Sequence, residues 1–364
     1  VIVDAGKTLE LDGTVTVNDY VEMNGTCSLL SNLKGPGILS SSTGNILVNY
    51  TNIENITATG GASFVANDSY DLGGNSGWTI NGNTAKDYYW VGDGGSWNDG
   101  SHWALTSGGA GSGCVPTFQD DVYFDANSFS ATGQTVSISA TVADCKSMDW
   151  TGVTNAPTFS ILGNDLNIYG SLTFSPNMTV NASSSDVYFK STETGNTITF
   201  AGNNINDDVY IDGVGGSWSL QDSITIGLAN KKLIVTNGTL NTNGNSINTG
   251  SIQVAASAVV NFSSSNVYLR YAFSYLYGSN IDAGAATFHI RYNYPHTFQA
   301  GETTIHRVIF NSIEDCGMTG SGSFNKIMVQ GTGEVKLEDI TADSVIVDAG
   351  KTLELDGTVT VNDY

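Results

Sequence analysis

From Thr8 to Asn18 the chain alternates. Leu9, Leu11, Val15 and Val17 are apolar, and Thr8, Glu10, Asp12, Thr14, Thr16 and Asn18 lie between or beside them. A period of two is the pattern of half-buried β-strands. The pairs Ala5-Gly6 and Asp12-Gly13 interrupt it where turns are needed. The same twenty residues, Val1–Tyr20, return unchanged as Val345–Tyr364, an offset of 345 − 1 = 344. The chain therefore reads as slightly more than one period of something that continues in both directions. A joint between independent beads would be rich in Pro, Gly and Ser. This joint is itself strand, which predicts units connected by continuous β-structure.

The same strand-turn texture fills residues 1–84 and 131–344, and no amphipathic helix of three turns interrupts it. A second repeat lies inside. Leu166–Lys190 aligns with Ser246–Arg270, so that Gly170-Ser171 falls on Gly250-Ser251 and Val187-Tyr188 on Val267-Tyr268. A third echo links Leu233–Gly244 to Val345–Gly357, the joint itself. Repeats of this kind are stacked units that cannot each bury a face alone. The pattern predicts an all-β fold, a right-handed parallel β-helix with rungs of about 20–25 residues stacked roughly 4.8 Å apart. One period would advance about 65–80 Å on that spacing. Residues 345–364 open the next repeat, and no polar cap is visible at either end. Matching uncapped ends make a head-to-tail contact that does not close.

Residues 85–130 break the alternation. Three of the six Trp (Trp90, Trp97 and Trp103) fall here among Gly, Asp and Asn, and the turns lengthen. The stretch reads as an insertion carried on the solenoid. Its run Trp90-Val91-Gly92, Gly95-Ser96-Trp97 and His102-Trp103, then Pro116 and Asp120–Phe129, followed by Ala143–Phe159, resembles very large secreted tandem-repeat proteins of gliding, Bacteroidota-type bacteria. The likeness covers about residues 88–260. It implies a surface polymer or adhesin and carries over no catalytic residue.

Composition narrows the partners. Asp and Glu number 35 against 13 Lys and Arg, a net charge of −22, so nucleic acid and anionic membrane are poor partners. No apolar run is long enough to span a bilayer. Hydrophobic residues make up 40% and alternate regularly, which favours a packed fold over disorder. Four cysteines are too few for a small disulfide scaffold. Cys114 and Cys145 flank the loop-rich stretch and are either bridged or two free thiols. Cys27 and Cys316 lie near opposite ends and would meet only across a joint between units.

Three groups carry candidate chemistry. Asp93, Asp99, Asp120, Asp121 and Asp125 crowd the Trp-rich stretch, and paired carboxylates with loop carbonyls can supply the six to eight oxygens of a Ca2+ site. No calcium-loop motif is present, and Asp is equally a turn former. Between residues 268 and 298, Tyr271, Tyr275, Tyr277, Tyr292 and Tyr294 interleave with Arg270, Arg291, His289 and His296. Such a surface suits stacking on glycans, and it equally suits a packed contact between neighbouring units. The His spacing matches no zinc signature. Asp207, Asp208 and Asp212 have the makings of a hydrolase group, but Asp is too common here to be selective, and no nucleophile elbow or phosphate loop accompanies them. Glycosylation sequons occur at Asn24, Asn49, Asn55, Asn67, Asn177, Asn181, Asn237 and Asn261. The reading is a structural one: an extracellular, cell-surface fibre built from 344-residue units whose partner is the next unit, with no cofactor beyond the possible Ca2+ and no catalysis. An adhesin or carbohydrate-binding module is the rival, and a polysaccharide-degrading enzyme the more distant one.

Overall fold

The computed structural model describes residues 1–139, 142–227, 230–275, 280–291, 297–299, 303–319 and 322–362. The chain is all-β, a solenoid of parallel stacked strands with about 17 turns. Helix among the described residues is confined to the 3-10 turn Gly100–His102, and none is long and apolar enough to cross a membrane.

The strands form two stacks. Those from Ile2–Asp4 to Thr79–Gly82 make a nine-stranded sheet. Those from Asp87–Trp90 to Thr360–Val361 make a 26-stranded sheet, with a four-stranded sheet on a further side built from Gly95–Ser96, Thr135–Ser137, Thr158–Ser160 and Thr179–Asn181. Among the described residues no strand of the first stack pairs with a strand of the second.

Alternation explains why these residues are strands. In Val209–Leu220 the side chains of Val209, Ile211, Trp218 and Leu220 are buried, while Tyr210 and Ser219 stand on the outer face. Parallel pairing then carries each inward position to the next turn. Leu166 lies beside Val187, Val187 beside Val209, Val209 beside Leu233, and Leu233 beside Ile252, and all five are buried. Each such side chain stabilises the stack by about 1.5–3 kcal/mol through removal from water. The offset repeat works the same way. Val187 and Val267 enter the core, while Tyr188 stacks outside on Tyr210 and Tyr268 on His289, each at 4.5 Å. At one corner the backbone of successive turns comes so close that a side chain is excluded. A Cβ on Gly60, whose φ is +107°, would lie 2.0 Å from the Ser41 carbonyl oxygen.

The Trp-rich stretch is not carried on the side of the stack. It forms the first turns of the second stack, with Asp87–Trp90 paired antiparallel to Trp103–Ala104 and parallel to Asp121–Tyr123. Trp90, Trp97 and Trp103 are fully buried with Phe124, Trp150 and Phe159. Trp97 meets Trp103 edge-on at 4.7 Å, and Phe124 lies flat on Trp150. The alternation weakens there because loops intervene between short strands, not because the residues leave the core. Turn length falls along this stack: Asp87 lies beside Asp121, Leu166 beside Val187, and Leu337 beside Leu355.

Trp150→Ala should cost about 3–5 kcal/mol, the usual effect of emptying a large buried aromatic site. Leu162→Ala, at a side chain 47% exposed, should stay within about 0.5 kcal/mol of the parent. Chemical denaturation of both variants checks the pair.

Candidate functional site

The two copies of the repeated turn fold alike and use opposite edges. In both, the Lys amide closes a turn on the Asp carbonyl at 3.1 Å, Lys7 on Asp4 and Lys351 on Asp348. Both place glycine where φ is positive: Gly6 at +73° and Gly350 at +77°, Gly13 at +91° and Gly357 at +60°. Glycine takes this conformation without steric cost. The copy at 1–20 pairs forward, with Val3 beside Met23 and Leu9 beside Leu33. The copy at 345–362 pairs backward, with Val347 beside Val329 and Leu353 beside Val335. Val347 is the repeat of Val3, and Leu353 of Leu9. One turn therefore completes two core columns: Phe310, Val329 and Val347 on one side answer Val3 and Met23 on the other, and Cys316, Val335 and Leu353 answer Leu9, Leu33 and Ile53.

Burial follows the edge in use. Val3, Leu11 and Val17 are 8%, 3% and 8% exposed, whereas their repeats Val347, Leu355 and Val361 are 39%, 58% and 44% exposed. The turn that pairs forward buries its apolar side chains, and the turn that pairs only backward leaves them half in water. An outward polar row accompanies the inner columns. Asp4 lies beside Asn24, Asn24 beside Asn49, Asn49 beside Asn67 and Asn67 beside Asn81. Asn81 Nδ2 donates to Asn67 Oδ1 at 2.8 Å. Three of the sequons, at Asn24, Asn49 and Asn67, are thus members of one asparagine row.

The five aspartates of the Trp-rich stretch accept backbone N–H groups, some from their own loops and some from neighbouring segments. Asp93 takes Ser130 N at 2.6 Å, Asp99 takes Ser101 N at 2.9 Å, and Asp125 takes Asn127 N at 2.8 Å. Asp121 takes Ser147 N at 2.9 Å from the next turn. Asp120 is buried and accepts from Lys86 N and Thr117 N, both at 2.8 Å. The Ser130 amide and hydroxyl hold the Asp93 carboxyl below its ordinary range, and the Ser101 hydroxyl and amide do the same for Asp99. Among the described residues no three His, Cys, Asp or Glu side chains converge as a metal site.

Asp207, Asp208 and Asp212 are also tied into the wall. Asp208 accepts Lys232 N, Asp212 accepts Asn237 Nδ2, both at 2.8 Å, and buried Asp207 pairs with Lys231. Burial opposes the charge on Asp207, but the Lys231 ammonium and the amides of Ser185 and Asp208 outweigh it and hold the carboxyl below its ordinary pKa.

The aromatic stretch is engaged in part. Arg291 lies over the Tyr268 ring at 4.2 Å, and Arg270 donates to the Gly227 carbonyl at 2.9 Å. Burial, then the Arg291 guanidinium, lowers the pKa of His289 and favours the neutral ring in the stack. Tyr271 is half-buried in Asn266–Tyr275, and the backbone of Tyr275 pairs with Val254. Tyr277, Tyr292, Tyr294 and His296 lie outside the described residues.

The cysteine expectation is overturned. Cys27 and Cys114 form the disulfide, while Cys145 and Cys316 are free and buried. Cys145 is an inward residue of Val142–Cys145 and is buried in the core of the second stack. Cys27 stands in the tight turn Thr26–Leu29 of the first stack. The bridge spans 87 residues, which in the chain-entropy account contributes about 4–5 kcal/mol. Beside it, Tyr70 meets Thr117 Oγ1 at 2.9 Å and the Phe118 ring at 4.9 Å, and it accepts from Asn83 at 3.1 Å. Burial raises the Tyr70 pKa against those hydrogen bonds. A cleft of about 430 Å3 opens between the stacks here. Asp144 lines it, its pKa raised by burial against the pull of Asn167 and Lys190. Nothing in the sequence pattern marked this junction.

Set against protein-family models, curated proteins and solved structures, the chain finds no match.

Peptide mapping without reduction should recover a Cys27–Cys114 crosslink and unmodified Cys145 and Cys316, both thiols reacting with iodoacetamide only after unfolding. A Cys114–Cys145 crosslink would contradict the structure. For the Asp207–Lys231 pair, the depressed carboxyl contributes stability above the unfolded pKa of about 3.9 that drains away as pH falls through the lower folded value. Asp207→Asn should cost about 2 kcal/mol at pH 7, less than a fully buried pair because Lys231 is partly solvated. Denaturant melts at pH 7 and pH 3 should show a smaller acid loss in the variant than in the parent.

Proposed function

We propose that this chain is the repeating unit of a giant extracellular β-solenoid, a structural fibre in which the last turn of one unit is the first turn of the next. The observation that carries the reading is the use of opposite edges by one twenty-residue turn, with Val3/Val347 and Leu9/Leu353 holding the same inward columns on both. Placed in mid-chain, that turn has both edges paired and its apolar residues covered. The half-buried Cys27–Cys114 disulfide fits an oxidising location outside the cytosol. The charge of −22 fits a long polymer kept soluble by self-repulsion.

Pairing arithmetic favours one continuous polypeptide over separate subunits. Stacking the first turn of one subunit on the last turn of another sets Asp4 over Asp348, Glu10 over Glu354 and Asp12 over Asp356. Like charges would then face each other at about 4.8 Å. Swapping one turn for the other replaces a set of pairings with an identical set and gains none. Covalent continuity alone supplies a new pairing without a like-charge stack.

Hydrogen exchange tests the reading. In a chain carrying two consecutive units, the amides of the central joint should exchange as slowly as those of Ser323–Val329, while in the present chain residues 353–361 should exchange faster. Fast exchange at the joint in both would overturn it. On a reducing, denaturing gel the native material should run far above the 38.2 kDa of one such chain. A single band near that mass would remove the giant polypeptide.

A further inference from the structure

We infer that the Cys27–Cys114 disulfide is a redox-controlled clamp on a joint between the two stacks. Strand pairing runs through each stack and does not pass from Thr79–Gly82 to Asp87–Trp90. The two stacks bury separate cores, one around Leu33 and Ile53, the other beginning at Tyr88 and Trp90. Between them lies the cleft of about 430 Å3, with Leu29, Leu30 and Leu72 on one wall and Phe118, Val142 and Tyr169 on the other. A close-packed boundary would resist motion as a core does. An open cleft leaves room for the walls to approach or part.

The contacts described across the joint are of two strengths. The disulfide is covalent. Beside it, and beside the connecting segment after Gly82, stand the Tyr70–Thr117 hydroxyl pair and the tilted contact of the Tyr70 and Phe118 rings. A hydrogen bond and a ring contact each contribute on the order of 1 kcal/mol. Side chains of that strength fray on their own, as locally opening segments do. The disulfide therefore fixes the angle between the stacks. Neither stack depends on it for its own ladder, since neither cysteine lies within a strand.

Both cysteines are only half-buried, so a small thiol has access to the sulfurs. The step requires a reductant of the thiol class, for example a dithiol. Its thiolate attacks one sulfur, the S–S bond breaks, and a second thiolate resolves the mixed disulfide. Two electrons and two protons pass to Cys27 and Cys114, which become thiols, and the reductant leaves as its own disulfide. Oxidation reverses the change. The inference concerns a single chain and stands whether or not units join end to end.

Small-angle X-ray scattering of the full chain tests it, before and after treatment with dithiothreitol and in the double variant Cys27→Ser, Cys114→Ser. Thiol titration verifies that the bridge is broken, and far-ultraviolet circular dichroism follows the strands. The expected result is a rise in radius of gyration and maximum dimension on reduction, reproduced by the double variant, with the strand signal unchanged and the parent restored by reoxidation. An unchanged scattering curve with the bridge broken would show a joint rigid without its clamp and overturn the inference. Loss of the strand signal would overturn it as well, because the disulfide would then be a requirement of the fold.

Discussion

Backbone pairing between successive turns is the constraint on which everything else in this molecule rests. In a parallel stack each strand hands its N–H and C=O groups to the turns before and after it. That fixes which residue lies above which, so a side chain must suit its neighbour one turn away more than its neighbour in sequence. Inward positions become columns of like character, as from Leu166 through Val187, Val209 and Leu233 to Ile252. Outward positions become rows of paired polar or aromatic groups, such as the asparagines from Asn24 to Asn81 and the stacked rings of Tyr188 and Tyr210. At the corners, where no neighbouring strand supplies an acceptor, aspartates take the free N–H groups. Asp120, Asp121, Asp165 and Asp208 all do so. The acidity of the chain is in part the cost of closing its corners.

How legible this was depended on whether a feature is local. Period-two alternation at Leu9, Leu11, Val15 and Val17 is a property of one strand, and it announced the fold class correctly. The repeat of Val187-Tyr188 as Val267-Tyr268 likewise revealed stacked units, since each copy serves the same inward and outward roles. The Trp-rich stretch misled because its strands are short and separated by loops. Trp97 and Trp103 belong to the core, yet too little alternation surrounds them to say so. The partner of Cys114 was not legible at all. It depends on where the turn Thr26–Leu29 comes to rest beside a different stack, and no periodicity within either stack encodes that. The aspartates sat between these cases. Sequence alone does not say which amides these carboxylates accept; the structure places the N–H groups of Ser130, Ser101 and Asn127 on Asp93, Asp99 and Asp125.

The two ends of the second stack differ in what they can join. Its first turns are filled by rings and bridged sideways to the first stack through Cys114, Thr117 and Phe118. Its last turns are plain strands whose residues are repeated at the start of the chain. On the proposed reading one boundary would continue the ladder, while the boundary between the two stacks replaces it by side-chain contacts and a covalent bridge.

Turn length falls from Asp87–Asp121 to Leu337–Leu355 along the second stack. Its first turns bury Trp90, Trp97, Trp103 and Trp150, and its last bury Phe324, Val329, Leu337 and Ala342. Turns of the first stack vary in length, with Ile2 over Glu22, Asn24 over Asn49 and Asn49 over Asn67. In the proposed fibre the ladder would pass through the repeated turn. After Gly82 it does not carry over, and a new ladder begins at Asp87.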